Sequence, residues 1–572
     1  MPRTCLGPRG WVGRLASVLL LVGCWSQSPP VPGGPGNSAG TAPRAERNSV
    51  SKPPQDGYLR LPLLTNPPDL DPILISDTTS HGIGARIFNT LVAYDEQLAL
   101  VPSLAETMPE VSPDGRVYTF TLRRGVKFHH GRELVAQDVK YSLSRLATTV
   151  SKRFNVIEPI FGAEAARQSS LQGTFTEITG IETPHPHRVV ITLNKPYSTF
   201  LYLMAMTNAA VVPREVIEAK GDKFSRQPVG TGPFRLVEWR ENDVLRLERF
   251  DDYFLGKPKL AGMALRVIQE SLARQKEYEA GNLDLCDVTS GMYQRWKNSN
   301  RSEEVLEWPQ LTVLYYGFNL EKDGSPYAGR QDERARKLRL AINYAVDREH
   351  LCNNVLEGRY TPANGILPPG TLGHDASRPV FKQDVAKARE LLAEAGYPEG
   401  RGLPPVQLWL NSQGDNALIA QTVQQDLARV GIPIELKQLD WAAFIKATDA
   451  GEPAFFRLGW VADYPDPETF LFSLFHSSNK GPRGNVTFYD NPVVDELINQ
   501  SYAETDPALR MGFLRQAEEQ VLQDVPWLFL TFQKEVILRK PYVKNLHPSG
   551  MDDDVSLAFV PWHEVAIEPE SP

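Results

Sequence analysis

Residues 406–436 read VQLWLNSQGDNALIAQTVQQDLARVGIPIEL and indicate the class of fold. Apolar residues alternate over residues 406–410, which is the period of a half-buried strand. Over residues 419–430 they share one helical face, Gly431 ends the helix, and a second strand starts at Ile434. A strand, a helix and a strand in this order form a right-handed βαβ unit of a parallel sheet. The sequence therefore predicts an α/β protein whose ligands bind beyond the carboxyl ends of the strands.

Further along the chain, residues 459–471 read GWVADYPDPETFL. Asp466 and the two residues after it predict a helix start, because Asp caps free N–H groups, Pro suits the first turn and Glu complements the helix dipole. Asp463 has no such local role and lies between Trp460 and Tyr464. We interpret Asp463 as a candidate site for a cation, against the alternative of a solvated loop acid beside a core Trp460.

The first half of the chain carries the same mixture of elements. Residues 73–75 predict a strand, a polar segment follows, and apolar spacing predicts a helix over residues 83–91. A Pro-Asp-Gly turn at residues 113–115 precedes an alternating strand at residues 117–122, and another helix opens near Ala136. Several lobes are expected, because a chain of 572 residues exceeds the size of one core.

Composition excludes nucleic acid as the main partner. The formal net charge is −8 and no run of Lys or Arg stands out, whereas a duplex-binding surface needs a basic excess. Metalloprotease, redox, nucleophile-elbow and phosphate-loop motifs are missing from the sequence. His129 and His130 are neighbours on a turn and point apart, so they do not predict a metal site, and His185 and His187 fit a polar turn. We therefore predict a binding protein without a cofactor rather than an enzyme.

The N-terminus is that of an exported protein. Three arginines precede the short apolar run of residues 15–22, which is too short to span a bilayer. Residues 21–24 read LVGC and resemble a lipobox, which implies a signal peptide at residues 1–23 and a lipid on Cys24; the alternative is an ordinary signal peptide with a chance cysteine. Residues 24–56 predict a flexible tether rich in Ser, Pro and Gly. Cys286 and Cys352 remain, as either a disulfide or two buried thiols.

Several segments in order resemble the extracellular solute-binding proteins of family 5, the oligopeptide, dipeptide and nickel receptors of ABC importers. The matching segments are residues 102–146, 228–236, 250–258, 316–319, 339–348, 391–397 and 459–471. The resemblance implies a two-lobed periplasmic-binding-protein-like fold of class II, with an extra subdomain and a ligand cleft between the lobes. It also implies a monomer outside the cytoplasmic membrane that captures peptides and delivers them to ABC permease subunits.

The resemblance supplies boundaries that the sequence alone does not. Lobe I would span residues 57–290 and contain an inserted subdomain at about residues 88–224. Lobe II would span residues 291–526, and residues 527–565 would return to lobe I.

The resemblance also implies a peptide site. Asp463 would pair with the ligand's α-ammonium, the backbone around Gly459 and Val461 would pair with an extended peptide, and Ser76 and Thr78 would face them from the other lobe. Trp460 would lie beside this acid. Tyr316 and Trp409 are further candidates for the cleft wall, although aromatic residues on sheet strands are more often core.

One departure from the family bears on the ligand. Residues 411–415 read NSQGD and lack the arginine that dipeptide receptors place there for the ligand carboxylate. Longer peptides are therefore favoured, with an oligosaccharide or a nickel complex as alternatives within the family and a secreted hydrolase as the alternative outside it.

Overall fold

The computed structural model describes residues 53–289, 291–411 and 415–568. The predicted signal peptide, the Cys24 lipid site and most of the predicted tether lie outside the described residues. No helix in the described part of the chain is long and apolar enough to cross a membrane.

The strands and helices alternate along the chain, as the sequence pattern indicates. The strands are labelled β1 to β19 and span Tyr58–Leu63, Val92–Tyr94, Leu100–Pro102, Glu110–Val111, Val117–Thr121, Ile181–His185, Arg188–Thr192, Phe234–Arg240, Val244–Arg249, Gly262–Val267, Leu285–Asp287, Val305–Phe318, Tyr360–Pro362, Val406–Asn411, Ile434–Leu439, Phe455–Val461, Trp527–Arg539, Val543–Lys544 and Ala566–Ile567. The helices are labelled α1 to α15 and span Thr78–Ile87, Ala136–Arg145, Ala163–Leu171, Phe200–Ala205, Arg214–Lys220, Ser271–Glu279, Tyr293–Lys297, Glu333–Ala345, Arg348–His350, Val385–Glu394, Asn416–Ala428, Trp441–Asp449, Glu468–Phe475, Pro492–Ala503 and Pro507–Asp524.

Three sheets organise these elements. The first sheet has the strand order β1-β10-β9-β8, and the second has the order β4-β5-β7-β6. The third and largest has the order β11-β17-β12-β16-β14-β15, with β13 paired to β17. Each sheet packs its apolar side chains into a core of its own, so the chain has separate hydrophobic cores joined by long strands.

The predicted βαβ unit is confirmed. Strand β14 runs parallel to β15, with Val406 beside Ile434, and α11 connects them. Gly431 follows the helix with a φ of +84°, a conformation that glycine adopts without a steric penalty. The capped helix that follows Asp384 is also present, because the Asp384 side chain accepts a hydrogen bond from the backbone N–H of Lys387.

Strands β12 and β17 connect the first and third cores. Trp308 of β12 and Ile537 of β17 pack in the core of the first sheet, whereas the other ends of both strands pack in the core of the third. Their pairing is irregular between Pro309 and Val313, which lies between the two cores.

The prediction of a strand at residues 73–75 is wrong. The backbone N–H groups of Leu74 and Ile75 both donate to the carbonyl of Asp71, which closes a turn. The Asn208 side chain donates to the carbonyls of Pro72 and Ile75, so this backbone is satisfied without a sheet partner.

The helix predicted over residues 83–91 starts earlier and ends earlier than expected, since α1 spans Thr78–Ile87. Gly232 packs against its end, where a Cβ atom would lie 2.5 Å from the carbonyl carbon of Ile87. The close approach explains why residue 232 is a glycine.

The two cysteines of the described chain are buried free thiols. Cys286 lies on β11 and Cys352 follows α9, and burial raises the pKa of both thiols above the usual range. Of the two alternatives left by the sequence, the structure shows free thiols and no disulfide.

Candidate functional site

Two backbone hydrogen bonds hold the chain at Asp463, just after the end of β16. The N–H of Ala462 donates to the Leu311 carbonyl at 3.0 Å, and the N–H of Asp463 donates to the Thr469 hydroxyl at 3.3 Å. Asp466 accepts from the N–H of Glu468, which begins α13. The N-cap position is Pro467 rather than Asp466, so the prediction is wrong by one residue. The Asp466 carboxylate still accepts the N–H of the first helical residue.

The Asp466 carboxylate has a second role that the sequence did not indicate. Both guanidinium nitrogens Nη1 and Nη2 of Arg510 donate to it at 2.7 Å, which fixes the turn that carries Asp463 to α15. The charge of Asp466 is therefore already paired, whereas the carboxylate of Asp463 has neither a hydrogen bond nor an ion pair within the described ranges.

Asp463 combines exposure with strong desolvation. Its side chain reaches solvent, yet protein atoms surround it closely enough for desolvation to raise the pKa of the carboxyl. The charge of Arg153 acts against this rise. A carboxylate that is both accessible and poorly hydrated gains most from a cationic partner.

The strand that precedes Asp463 has an open edge. Strand β14 pairs with β16 only at Phe455 and Phe456, so no described strand covers that edge at Gly459 or Val461. Val461 is 54% exposed, and a Cβ on Gly459 would meet Leu314 at 2.6 Å. Trp460 lies on the opposite face of the strand, packs against the third core, and has a buried indole N–H without a partner.

Arg457 is a functional candidate that the sequence analysis missed. It lies two residues before Gly459 on β16 and so shares a face with Gly459 and Val461. Desolvation lowers the pKa of its guanidinium, which Tyr315, Tyr316 and Tyr360 partly oppose, and no carboxylate in the described chain pairs with it. A desolvated arginine without an anion is a site for a carboxylate ligand.

Ser76 and Thr78, which are predicted to face Asp463 from the other lobe, lie at the start of α1, and this role stays a prediction. Ser76 and Thr78 are exposed, and Asp77 between them caps α1 by accepting a hydrogen bond from the N–H of Ser80. Desolvation and, secondarily, the charge of Arg153 lower the pKa of His81 on α1, and the same charge acts on Asp463. The Nε of Arg153 is buried without a hydrogen-bond partner.

Two of the sequence-based candidates lie away from Asp463. Tyr316 pairs with Arg457 across β12 and β16, is buried in the third core against Phe455, and its hydroxyl has no partner. Trp409 lies on β14 beneath the ammonium of Lys437, which is 3.4 Å from the ring centroid. No contact joins Tyr316 or Trp409 to Asp463 within the described ranges, and their role as ligand contacts stays a prediction.

Aromatic rings pack beside the turn that carries Asp463. Tyr464 stacks on Tyr202 with ring centroids 5.5 Å apart and packs within the core of the second sheet. Tyr502 stacks on Tyr197 at 5.2 Å. The hydroxyls of Tyr464 and Tyr502 both donate to the buried carboxyl of Glu468. Glu468 thus anchors the rings through which these two parts of the protein touch.

Burial raises the pKa of Glu468 to about 7, from an ordinary value of 4.5. A raised folded-state pKa stabilises the protein fully below the unfolded value and loses that contribution as the pH rises through about 7. We therefore expect the free energy of unfolding of Glu468→Gln to exceed that of the wild type at pH 8 by roughly 1–3 kcal/mol. At pH 4 the two proteins should have the same stability. Denaturant titrations of both proteins across pH 4–8 measure the difference.

Glu519 on α15 provides the matched control, because its side chain is exposed. Glu519→Gln should leave the pH dependence of unfolding unchanged. Parallel curves for Glu468→Gln and the wild type across this range would show that Glu468 does not titrate as described.

The histidines of the two pairs contact other groups. His129 Nε2 lies 3.0 Å from the Gly232 carbonyl, whereas His130 Nε2 lies 2.9 Å from the Glu215 carboxylate. His185 and His187 have ring centroids 5.9 Å apart on the turn between β6 and β7. No group of three metal-ligating side chains converges among the described residues.

Known proteins share both the sequence pattern and the fold. Residues 99–482 match the model for bacterial extracellular solute-binding proteins, family 5. The glutathione-binding protein GsiB of Escherichia coli K12 is 29% identical over 500 residues, which cover 86% of this chain and 91% of GsiB. GsiB of Shigella dysenteriae matches to the same extent.

Solved structures agree. The murein tripeptide-binding protein MppA, in its unliganded open form, matches with a TM-score of 0.76 at 26% identity. The match covers 91% of this chain and 99% of the MppA chain. Helicobacter pylori DppA with the peptide STSA has a TM-score of 0.69 at 25% identity, with 90% and 98% coverage. The fold is the two-lobed α/β fold of periplasmic binding proteins. Because the family model covers more than half of the sequence, the chain belongs to the bacterial extracellular solute-binding proteins of family 5.

Proposed function

We propose that the protein captures short peptides for an ABC importer by closing its two lobes around them. The observation that carries the proposal is the carboxylate of Asp463, which is accessible, desolvated and unpaired at the edge of an open strand. A peptide's α-ammonium provides the charge that this carboxylate lacks. A peptide ligand is supported by the relatives, since GsiB is a glutathione-binding protein, MppA is a murein tripeptide-binding protein and the DppA structure holds the peptide STSA.

The open edge of β16 suits an extended peptide backbone. A ligand strand laid beside Gly459 and Val461 would add main-chain hydrogen bonds that do not depend on its side chains. Ser76 and Thr78 would complete the enclosure from α1. Arg457, on the same face of β16, would take the C-terminal carboxylate, so the missing arginine in residues 411–415 no longer argues for a long ligand.

The lobes proposed for this motion are those expected from the sequence. Residues 57–290, with the insertion at about 88–224, and residues 527–565 would form lobe I, and residues 291–526 would form lobe II. The irregular pairing between Pro309 and Val313 provides the hinge. A ligand that contacts both lobes binds the closed state better and so shifts the population towards it.

Calorimetric titration with three classes of ligand tests the function. We expect unblocked di- and tripeptides to bind with 1:1 stoichiometry and without cleavage, as suits a receptor rather than an enzyme. An oligosaccharide and a nickel complex serve as the comparison ligands, because both occur as solutes in the family. Binding of either one, with no response to any peptide, would reject the peptide proposal, and hydrolysis of the peptides would reject the assignment as a receptor.

We further propose that a lipid on Cys24 holds the monomeric protein at the outer face of a membrane, near the permease. A tether of thirty-odd residues reaches about 30 Å, from roughly 5–6 Å times the square root of its length. Cys24→Ala should release the protein from the membrane fraction while peptide affinity stays the same. Cell fractionation followed by a salt wash checks this, and retention of the variant on washed membranes would contradict the anchor.

A further inference from the structure

The segment that leads into α4 contacts α14 and α15, which are distant from it in the sequence. The Ser198 hydroxyl donates to the Ser501 carbonyl at 3.3 Å and accepts from Nε of Arg510 at 3.0 Å. Tyr197 stacks on Tyr502, with an angle of 27° between the ring planes. We call Tyr197, Ser198, Tyr502 and Arg510 the clasp.

The two sides of the clasp belong to separate hydrophobic cores. Phe200 of α4 packs against Tyr118 of β5 in the core of the second sheet. Ile498 of α14 and Leu514 of α15 are buried in the core of the third sheet. Because each side is fixed in its own core, the clasp joins two packed bodies. With the proposed boundaries, these bodies are the inserted subdomain and lobe II.

The four residues of the clasp line a cavity of about 520 Å³ between the two bodies. Val111 lines the cavity from the side of the second sheet, and Leu372 and Met511 line it from the side of the third. The side chains of Val111 and Leu372 are 47% and 52% exposed. A permanent protein interior is packed as closely as an organic crystal. A cavity of this size, with exposed apolar side chains on both walls, therefore indicates surfaces that can separate.

The guanidinium of Arg510 contacts both bodies. Its Nη1 and Nη2 donate to the carboxylate of Asp466, in the turn that carries Asp463, while its Nε donates to Ser198. A guanidinium is planar and rigid, so these three contacts constrain one another in direction. The contact with Ser198 therefore supports the orientation in which Arg510 holds this turn.

Tyr502 connects the clasp to the same region through Glu468. The hydroxyls of Tyr502 and Tyr464 donate to the carboxyl of Glu468, in the first turn of α13. Tyr464 in turn stacks on Tyr202 of α4. Two ring stacks, one through Tyr197 and one through Tyr202, thus connect the inserted subdomain to the two tyrosines that Glu468 holds.

We propose that the clasp holds the inserted subdomain against lobe II when the lobes close around a peptide, and that it separates when they open. The inference rests on the proposed peptide-binding function and gives the inserted subdomain a role in retaining the ligand. A contact that is present only in the closed state stabilises that state without touching the ligand. The clasp therefore slows the release of bound peptides whatever their side chains are.

Stopped-flow measurement of peptide release tests the inference. The double variant Tyr197→Ala/Ser198→Ala removes the ring stack and both hydrogen bonds of Ser198, and it keeps the ion pair between Arg510 and Asp466. Trialanine and triserine are the probes. We expect the double variant to release both tripeptides roughly 10-fold faster than the wild type, since one aromatic pair and two hydrogen bonds are lost.

A double-mutant cycle separates the clasp from local packing. Tyr197→Ala and Tyr502→Ala are made singly and together, and the release rate of trialanine is measured for each variant. If the two rings act through their mutual contact, the combined variant should release the peptide more slowly than the product of the two single effects predicts. Effects that simply multiply would show that each ring acts alone and would overturn the clasp.

Phe175→Ala provides the matched control. Phe175 is an aromatic residue of the same subdomain that packs on Tyr141 at 5.8 Å and is 41% exposed, and its removal should leave the release rate unchanged. Thermal unfolding checks the fold of each variant, and the smaller change Ser198→Ala should on its own speed release about threefold.

Unchanged release rates in folded clasp variants would overturn the clasp and leave the peptide function intact. Failure of the wild type to bind either tripeptide would instead overturn the function on which the clasp rests.

Discussion

Replacing Asp463 with asparagine is expected to weaken the binding of a peptide with a free amino terminus by roughly 30-fold to several thousand-fold. The substitution keeps the shape of the side chain and removes its charge. The ligand's ammonium would then enter a desolvated cleft without an ionic partner, because Asp466 is already paired with Arg510. Leaving one member of such a pair buried alone costs about 2–5 kcal/mol.

The loss should depend on the ligand's amino group. We expect the N-acetylated form of the same peptide to bind the wild type weakly and to distinguish little between the wild type and Asp463→Asn. Calorimetric titration of both peptides against both proteins gives the four affinities. Glu435→Gln, at an exposed acid on β15 of the same sheet, is the matched control and should behave as the wild type. Equal affinities in all four pairings would remove Asp463 from the binding site.

Local periodicity explains why much of the third sheet could be predicted. The alternation at residues 406–410 and the helical spacing at residues 419–430 are both set by which faces are buried, and the structure places them as β14 and α11. The apolar triplet at residues 73–75 misled the prediction because its burial comes from packing in a turn. Asn208, distant in the sequence, satisfies that backbone, and no local pattern records such a contact.

Arg153 could not be predicted from the sequence for a similar reason. Arg153 lies more than 300 positions before Asp463, and the two are brought together by the packing of the second sheet against the turn after β16. Arg457 did carry a local signal, since alternation along β16 places it on the face of Gly459 and Val461. An arginine among the apolar residues of a strand is the sequence feature that could have indicated Arg457 as a candidate site residue.

Arg457 gives the prediction with the second largest effect. We expect Arg457→Gln to weaken the binding of a peptide with a free carboxyl terminus by roughly 10-fold to 100-fold, since hydrogen bonds to a charged group contribute about 1.5–3 kcal/mol. Arg457→Lys should recover part of this loss, because an ammonium restores the charge but not the two parallel hydrogen bonds of a guanidinium. Affinities of the free-acid and amidated forms of one peptide, measured for each variant, separate the carboxylate contact from a general effect on the cleft.

The comparison of free-acid and amidated peptides also tests the direction in which the ligand lies along β16. If Asp463 and Arg457 hold opposite ends of one short peptide, Arg457→Gln should affect the free-acid form alone, and Asp463→Asn the free-amine form alone. The exposed Arg515 on α15 supplies the matched control, and Arg515→Gln should alter neither affinity. An equal loss for the free-acid and amidated peptides in Arg457→Gln would assign Arg457 to the packing around Tyr315, Tyr316 and Tyr360. The ligand carboxylate would then pair with another cation, for which Arg153, whose charge acts on Asp463, is the candidate.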